Sequence, residues 1–295
     1  MQHQQTRSGG EGLERSCDRR ASSWIAGTGP VAGVELFRAW FAGEAYQKHR
    51  HDTYAIGVTE CGVQVFEYRG AVQTSMPGDV VVLHPDEMHD GRPGTEDGFG
   101  YRIVYVGPAR LAEAMRVVRG RPCALPFVDA VVSGSARLSR AVESAFLEPL
   151  GSIAVDGLVV ELAEGLAAAD RGGERAVASS RVDVRAVDRA RQFLEAERTR
   201  VVHSSELESI TGLSRYDLAR QFRRMYGTSP YRYLVLRRLD FARQRIHDGR
   251  PLAEAACEAG FADQAHFTRA FKSTYGMTPG RYRALWAGAM PPDST

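Results

Sequence analysis

GLSRYDLARQFRRMYGTSP, residues 212–230, returns further along the chain as GFADQAHFTRAFKSTYGMTP, residues 260–279. Aligned from their ends, Leu218 matches Phe267, Arg220 matches Arg269 and Phe222 matches Phe271. Tyr226 likewise matches Tyr275, Gly227 matches Gly276 and Pro230 matches Pro279. Each copy reads as a small helix-turn-helix. Gly212 and Gly260 stand where the tight turn leaves little room for a side chain, and the second helix of each copy is studded with cations. A helix of this kind presents side chains to the major groove of DNA, so two of them predict the reading of two consecutive groove segments.

The local chemistry around the copies is consistent with that division. AVDRARQFLEAE (186–197) reads as a first helix, and Ser204 or Ser205 caps a second running to about Ile210, with Glu208 closing a capping box on Ser205. The recognition helix after it starts near Ser214, buries Leu218, Phe222 and Met225 or Tyr226, and ends at Gly227. Ser229 and Pro230 then begin a helix that continues to about Asp248 and stops at Gly249. About twenty residues make roughly 30 Å of helix, close to the roughly 34 Å between groove faces on one side of B-DNA. Pro251 opens the second unit, and Asp263 caps its recognition helix, 264–275.

Composition bounds the rest. A chain of 295 residues suggests two domains, and 43% hydrophobic with 25% charged residues is the make-up of an ordinary globular protein. The net charge of +2 hides an asymmetry. Residues 181–286 hold 20 Lys/Arg against 12 Asp/Glu, which leaves 18 against 24 elsewhere. A basic third beside an acidic remainder fits a polyanion-binding module attached to something else. Cys17, Cys61, Cys123 and Cys257 are far apart and suit reduced thiols. With neither a signal-peptide core nor a spanning run, a cytoplasmic protein without membrane contact is expected.

Residues 1–22 are polar and without period, and are expected to be disordered. From Val34 to about Val106, runs such as VELFRAWF, TYAIGVT, GVQVFEYRG, DVVVLH and YRIVYV predict an antiparallel barrel or sandwich. After Pro108 the period becomes helical. Leu138, Ala141, Val142, Ala145 and Phe146 make one stripe, and Val155, Leu158, Val159, Leu162, Leu166 and Ala169 another. These stripes either pack on the barrel or join two subunits. Residues 170–182 read as a linker. The stretch 27–32 formally fits GxGxxA, but no strand is expected ahead of it, Pro30 interrupts it and a strand-like run comes after it, so no dinucleotide site is assigned.

Residues 186–283 resemble the DNA-binding domain of AraC/XylS-type bacterial transcription regulators. The resemblance is carried by RLDFARQRI (238–246), AGFADQAHFTRAFKSTYGMTPGRYR (259–283) and LSRYDLARQFRRMYGTSP. It implies base-reading positions at Tyr216, Ala219 and Arg220 in the first unit and at Gln264, Ala265, Thr268 and Arg269 in the second. Arg suits guanine and Gln suits adenine. Arg215, Arg223, Arg224 and Lys272 are better placed for phosphates. Arg220 and Arg269 have a second reading as salt-bridge braces, and His266 reads as a packing or capping residue.

The region 34–106 resembles the cupin-type sensor barrel that many members of the family carry, on HRHDTYAIGVTECGVQVFEYRG and PGDVVVLHPDEMHDG. His49, His51, His84 and His89 fall here; His49 and His51 share a strand face, and His89 can meet them across the barrel. A metal cupin would place Glu four or five residues after the second His, where Ala55 and Ile56 stand instead. An effector pocket using His49, His51, Tyr54 and His89, a metal site, and plain structural hydrogen bonding all remain open. No catalytic residue, metal or cofactor is assigned.

The whole is read as an α+β two-domain protein: a cupin-like barrel (23–107), a helical dimerisation segment (108–169), the linker, an all-α double helix-turn-helix (183–286) and a tail (287–295). Its expected partners are double-stranded DNA, a second copy of the chain, RNA polymerase if it activates, and an unidentified small-molecule effector. The alternative is a metal-dependent cupin enzyme with a fused DNA-binding domain.

Overall fold

The structure is a computed structural model that describes residues 22–121, 125–147, 150–170 and 182–286. The expectations for 1–21, for most of the linker and for the tail lie outside the described residues. Strands β1 (Trp24–Gly27), β2 (Val34–Phe41), β4 (Tyr54–Gly62), β7 (Val80–Leu83), β9 (Phe99–Val106) and β10 (Val132–Ser133) form one antiparallel sheet in the order β1-β2-β9-β4-β7-β10. Strands β3 (Tyr46–His49), β5 (Gln64–Tyr68), β6 (Ala71–Ser75) and β8 (His89–Pro93) form the second, β3-β8-β5-β6.

Both faces of the larger sheet are buried, which is why its strands read as near-continuous apolar runs. Val34, Leu36, Ile56, Val82 and Val104 point outward and pack under α1 (Pro108–Arg119), α2 (Ala136–Ser144) and α3 (Ser152–Ala169). The alternate residues Phe37, Ala39, Phe41, Val81 and Ile103 point into the space between the sheets. The helical stripes are consumed by this packing: Leu138, Val142, Val155, Leu162 and Leu166 are all buried against the outer face of the sheet. At roughly 1.5–3 kcal/mol per buried aliphatic side chain, that face is amply satisfied within one chain. The part of α3 left in solvent includes Ile153 and Val160.

The helical third comprises α4 (Val184–Ala196), α5 (Ser204–Thr211), α6 (Arg215–Tyr226), α7 (Pro230–His247), α8 (Leu252–Glu258), α9 (Gln264–Tyr275) and α10 (Pro279–Leu285). Capping is local and repetitive: Ser214, Ser229, Asp263 and Thr278 each accept a hydrogen bond from the backbone N–H three residues on. One cap differs from expectation. The N-cap of α5 is His203, whose N–H donates to Glu206 at 2.8 Å. Glu208 instead accepts from the N–H of Arg215, the first residue of α6, at 2.8 Å. The Ser-x-x-Glu spacing fits two registers, and the one chosen leaves Glu208 free to tie the turn.

Helix α7 has 18 residues, about 27 Å, slightly less than the sequence predicts. It is buried nearly all round. Tyr233 and Leu234 complete the core of the first helix-turn-helix with Leu218 and Phe222. Leu239, Ala242 and Ile246 join Phe267 and Phe271 of the second, in an apolar cluster that continues into Phe41, Phe66 and Phe99 of the barrel. The two halves are also stitched by backbone bonds: on the edge strand β3 and just beyond it, the N–H groups of Gln47 and Arg50 donate to the carbonyls of Gly276 (2.9 Å) and Ser273 (3.3 Å).

Two smaller expectations change. Cys257 is free and exposed, but Cys61 is disulfide-bonded. A strand, β1, does precede 28–32, but the next element is β2, where a dinucleotide site would need a helix.

Candidate nucleic-acid interface and interdomain chamber

Helices α6 and α9 are built alike. Each is capped at its N-terminus, buries two core residues one turn apart, and ends in a left-handed glycine, Gly227 (φ 72°) and Gly276 (φ 67°). Leu218, Phe222, Phe267 and Phe271 are 2% exposed or less, so the opposite faces are fixed outward. On α6 those faces carry Tyr216, which is 81% exposed, together with exposed Arg215, Arg220, Arg223 and Arg224. On α9 they carry exposed Gln264, Ala265, Arg269 and Lys272, while Ala219 and Thr268 are half-buried beside their neighbours. All eleven expected DNA-facing residues thus lie on the two recognition helices. His266 is half-buried and sets its ring edge-on to Phe261 at 5.3 Å, a packing role.

The ion pairs of three of these cations bear on their roles. Arg215 meets Glu208 at 3.4 Å and Arg220 meets Asp217 at 2.6 Å, both exposed pairs of small energetic weight. Arg223 reaches out of its own domain to Asp86 of the barrel at 3.2 Å.

Between the sheets and α7 lies a chamber of about 180 Å³. One wall is the histidine group. The rings of His49 and His89 are 4.2 Å apart, those of His51 and His89 4.8 Å, and those of His49 and His51 6.2 Å. Each Nδ1 lies against a backbone carbonyl: Gln47 at 2.8 Å, Thr53 at 2.9 Å and Glu87 at 3.0 Å. That pattern assigns the proton to Nδ1 and leaves Nε2 as an acceptor. The Nε2 of His51 is buried with no hydrogen-bond partner among the described residues. Burial holds all three rings neutral. It lowers His49 to about 4; together with repulsion from His49, it lowers His51 to about 3 and His89 well below the usual range. Among the described residues no group of three or more His, Cys, Asp or Glu is arranged to hold a metal ion.

The facing wall comes from the helical third. Arg237 contacts Asp52 at 3.4 Å and Asp240 at 3.1 Å, and the Tyr275 hydroxyl donates to Asp240 at 3.1 Å. Arg243 forms a buried ion pair with Glu35 of β2, with its guanidinium 5.2 Å from the ring centres of both Phe37 and Tyr275. Burial raises the carboxyl of Glu35, with Arg243 opposing. On the barrel side the hydroxyls of Tyr46 and Tyr101 bond to each other.

Of the four residues expected to contact an effector, the structure brings His49, His51 and His89 together and not Tyr54. Tyr54 lies on the outward face of β4, in the core under the helices, where its hydroxyl donates to the Pro126 carbonyl at 2.9 Å. His84 is also structural: its Nδ1 is 2.9 Å from the Tyr68 hydroxyl and its Nε2 accepts from the N–H of Val128 at 3.0 Å. Sequence reasoning missed Glu35, Asp52, Arg237, Asp240 and Arg243. Their only signal is the spacing of three between the last three, which equally describes a solvated helix face.

Two family models match this chain: an AraC-like ligand binding domain over residues 31–163 and a helix-turn-helix domain over residues 207–285. The uncharacterized HTH-type transcriptional regulator YbfI of Bacillus subtilis is 26% identical over 242 residues, 80% of this chain and 86% of that one. The HTH-type transcriptional regulator ExsA of Pseudomonas aeruginosa is 29% identical over 100 residues, 34% of this chain and 36% of its own length. In fold, the crystal structure of ToxT from Vibrio cholerae superposes with a TM-score of 0.58 at 10% identity, covering 90% of this chain and 97% of that one.

Proposed function

The chain belongs to the AraC family of transcriptional regulators, and from that premise we propose that one subunit reads two successive major-groove segments of double-stranded DNA under the control of a small molecule in the interdomain chamber. In this reading Tyr216, Ala219, Arg220, Gln264, Ala265, Thr268 and Arg269 face the bases. Arg215, Arg223, Arg224 and Lys272 anchor the phosphates. His49, His51 and His89 contact the effector. The observation that carries the reading is the matched outward display on α6 and α9, held by equivalent core residues at either end of one buried helix.

The protein acts in the cytoplasm as a regulator, without catalysis, and meets RNA polymerase where it activates; among the described residues no helix is long and apolar enough to cross a membrane. A homodimer uses the solvent side of α3, because its other side is spent within the chain.

Selection of bound duplexes from a random pool tests the central claim. Two contacted segments one helical turn apart are expected for each subunit. Arg269→Ala and Arg220→Ala should each remove about 1–3 kcal/mol of discrimination between the selected site and random DNA. Arg224→Ala should weaken both equally. A single short segment per subunit, or equal losses for all three variants, contradicts the proposal.

A further inference from the structure

The turn between β7 and β8 carries a residue that the DNA-reading role does not use. Asp86 sits there in the left-handed region (φ 64°), unusual for any residue but glycine, asparagine or aspartate. Its carboxylate is mostly shielded and lies among three guanidinium groups. Arg223 Nη2 is 3.2 Å away, Arg232 Nε 3.4 Å and Arg50 Nε 3.5 Å. One negative charge therefore faces three positive ones. The carboxylate is also loosely tied, since Oδ1 is buried yet makes no well-aligned hydrogen bond among the described residues. Of the three arginines, Arg223 is the most exposed and stands on the last turn of recognition helix α6.

We infer that Asp86 is an internal stand-in for a DNA phosphate, which occupies Arg223 and lowers the affinity of the free protein for DNA. The inference rests on the proposed role of Arg223 as a backbone anchor. A phosphate approaching the end of α6 must take Arg223 from Asp86 and then tolerate a fixed carboxylate within a few ångströms. Both effects oppose binding, and neither depends on base sequence.

The same turn is joined to the chamber. The N–H of Asp86 donates to the carbonyl of His51 at 2.7 Å, and His89 comes three residues later. A molecule that shifts His51 or His89 therefore moves the backbone that aims Asp86. Linkage makes the coupling reciprocal: DNA that draws Arg223 away changes the affinity of the chamber by the same factor.

The test needs no knowledge of the target site. Full-length protein is titrated onto a fluorescent duplex of random sequence over a range of salt. Asp86→Asn removes the charge and keeps a residue that accepts the left-handed backbone; Asp86→Gly does the same if the asparagine variant fails to fold. Binding should tighten about twofold to fivefold, the range of an exposed ion pair, and the salt slope should steepen by about one. With Arg223→Ala already in place, the gain from either substitution at 86 should shrink, leaving only the relief of repulsion between the carboxylate and the phosphate. Unchanged affinity and slope in the single variants, or a gain of undiminished size in the Arg223→Ala background, overturns the inference. Failure of the wild type and every variant to bind any duplex would remove the phosphate role of Arg223 itself, and the inference with it.

Discussion

At the scale of single residues, the buried charges and imidazoles set how the molecule responds to acid. His49 and His51 titrate at about 4 and about 3 in the folded chain because burial opposes the charged form; unfolded, they return to about 6.5. Below pH 6.5 the unfolded chain binds more protons, so stability falls as pH drops from 6.5 toward 4 and is retained above that window. Between pH 7.5 and 5.5 the loss should be about 1 kcal/mol for each ring. Urea unfolding at the two pH values measures it, and the double variant His49→Asn/His51→Asn should remove the share of those two rings while His89 keeps its own. Arg243 poses a different problem. Its side chain is 6% exposed against a Glu35 side chain that is 15% exposed, so Arg243→Ala strands a buried carboxylate and should destabilise by about 3–5 kcal/mol. Pairing Arg243→Met with Glu35→Leu should recover most of that loss, as read by the same unfolding experiment.

At the scale of elements, the glycine that closes α9 does more than end it, unlike Gly212 at the end of α5. A Cβ on Gly276 would stand 2.7 Å from the carbonyl of Gln47 and 2.8 Å from Nδ1 of His49, whereas one on Gly212 meets open space. Both positions have positive φ, so alanine at either costs about 1 kcal/mol of backbone strain. Gly276→Ala should in addition push β3 off α9, giving a clearly lower melting temperature than Gly212→Ala; equal melting would contradict the close approach. The repeat, its turns and the caps Ser229 and Asp263 were legible in the sequence because that chemistry is local: each satisfies an N–H three residues away. The chamber was legible only on its histidine side. Glu35 and Arg243 lie 208 positions apart, and no local pattern announces such a pairing. Tyr54 was misplaced for a related reason. Strands buried on both faces lose the apolar-polar alternation that tells inward from outward.

At the scale of the molecule, the sensor half and the DNA-binding half share one apolar cluster and a set of charged contacts. They should therefore unfold together. Calorimetry is expected to show a single transition, and Leu236→Ala, in the buried middle of α7, should lower it as one peak by about 2–5 kcal/mol of stability. Two resolved peaks in the wild type would show that the halves are energetically separate. The donors on and beside β3 carry a further consequence. Gln47 and Arg50 spend their backbone N–H groups on carbonyls at the end of α9, so parting the halves leaves a bare sheet margin seeking any extended peptide. A sensor fragment produced by itself is therefore a sticky object, and its clumping in the tube would report the missing neighbour, with no bearing on how the intact regulator assembles.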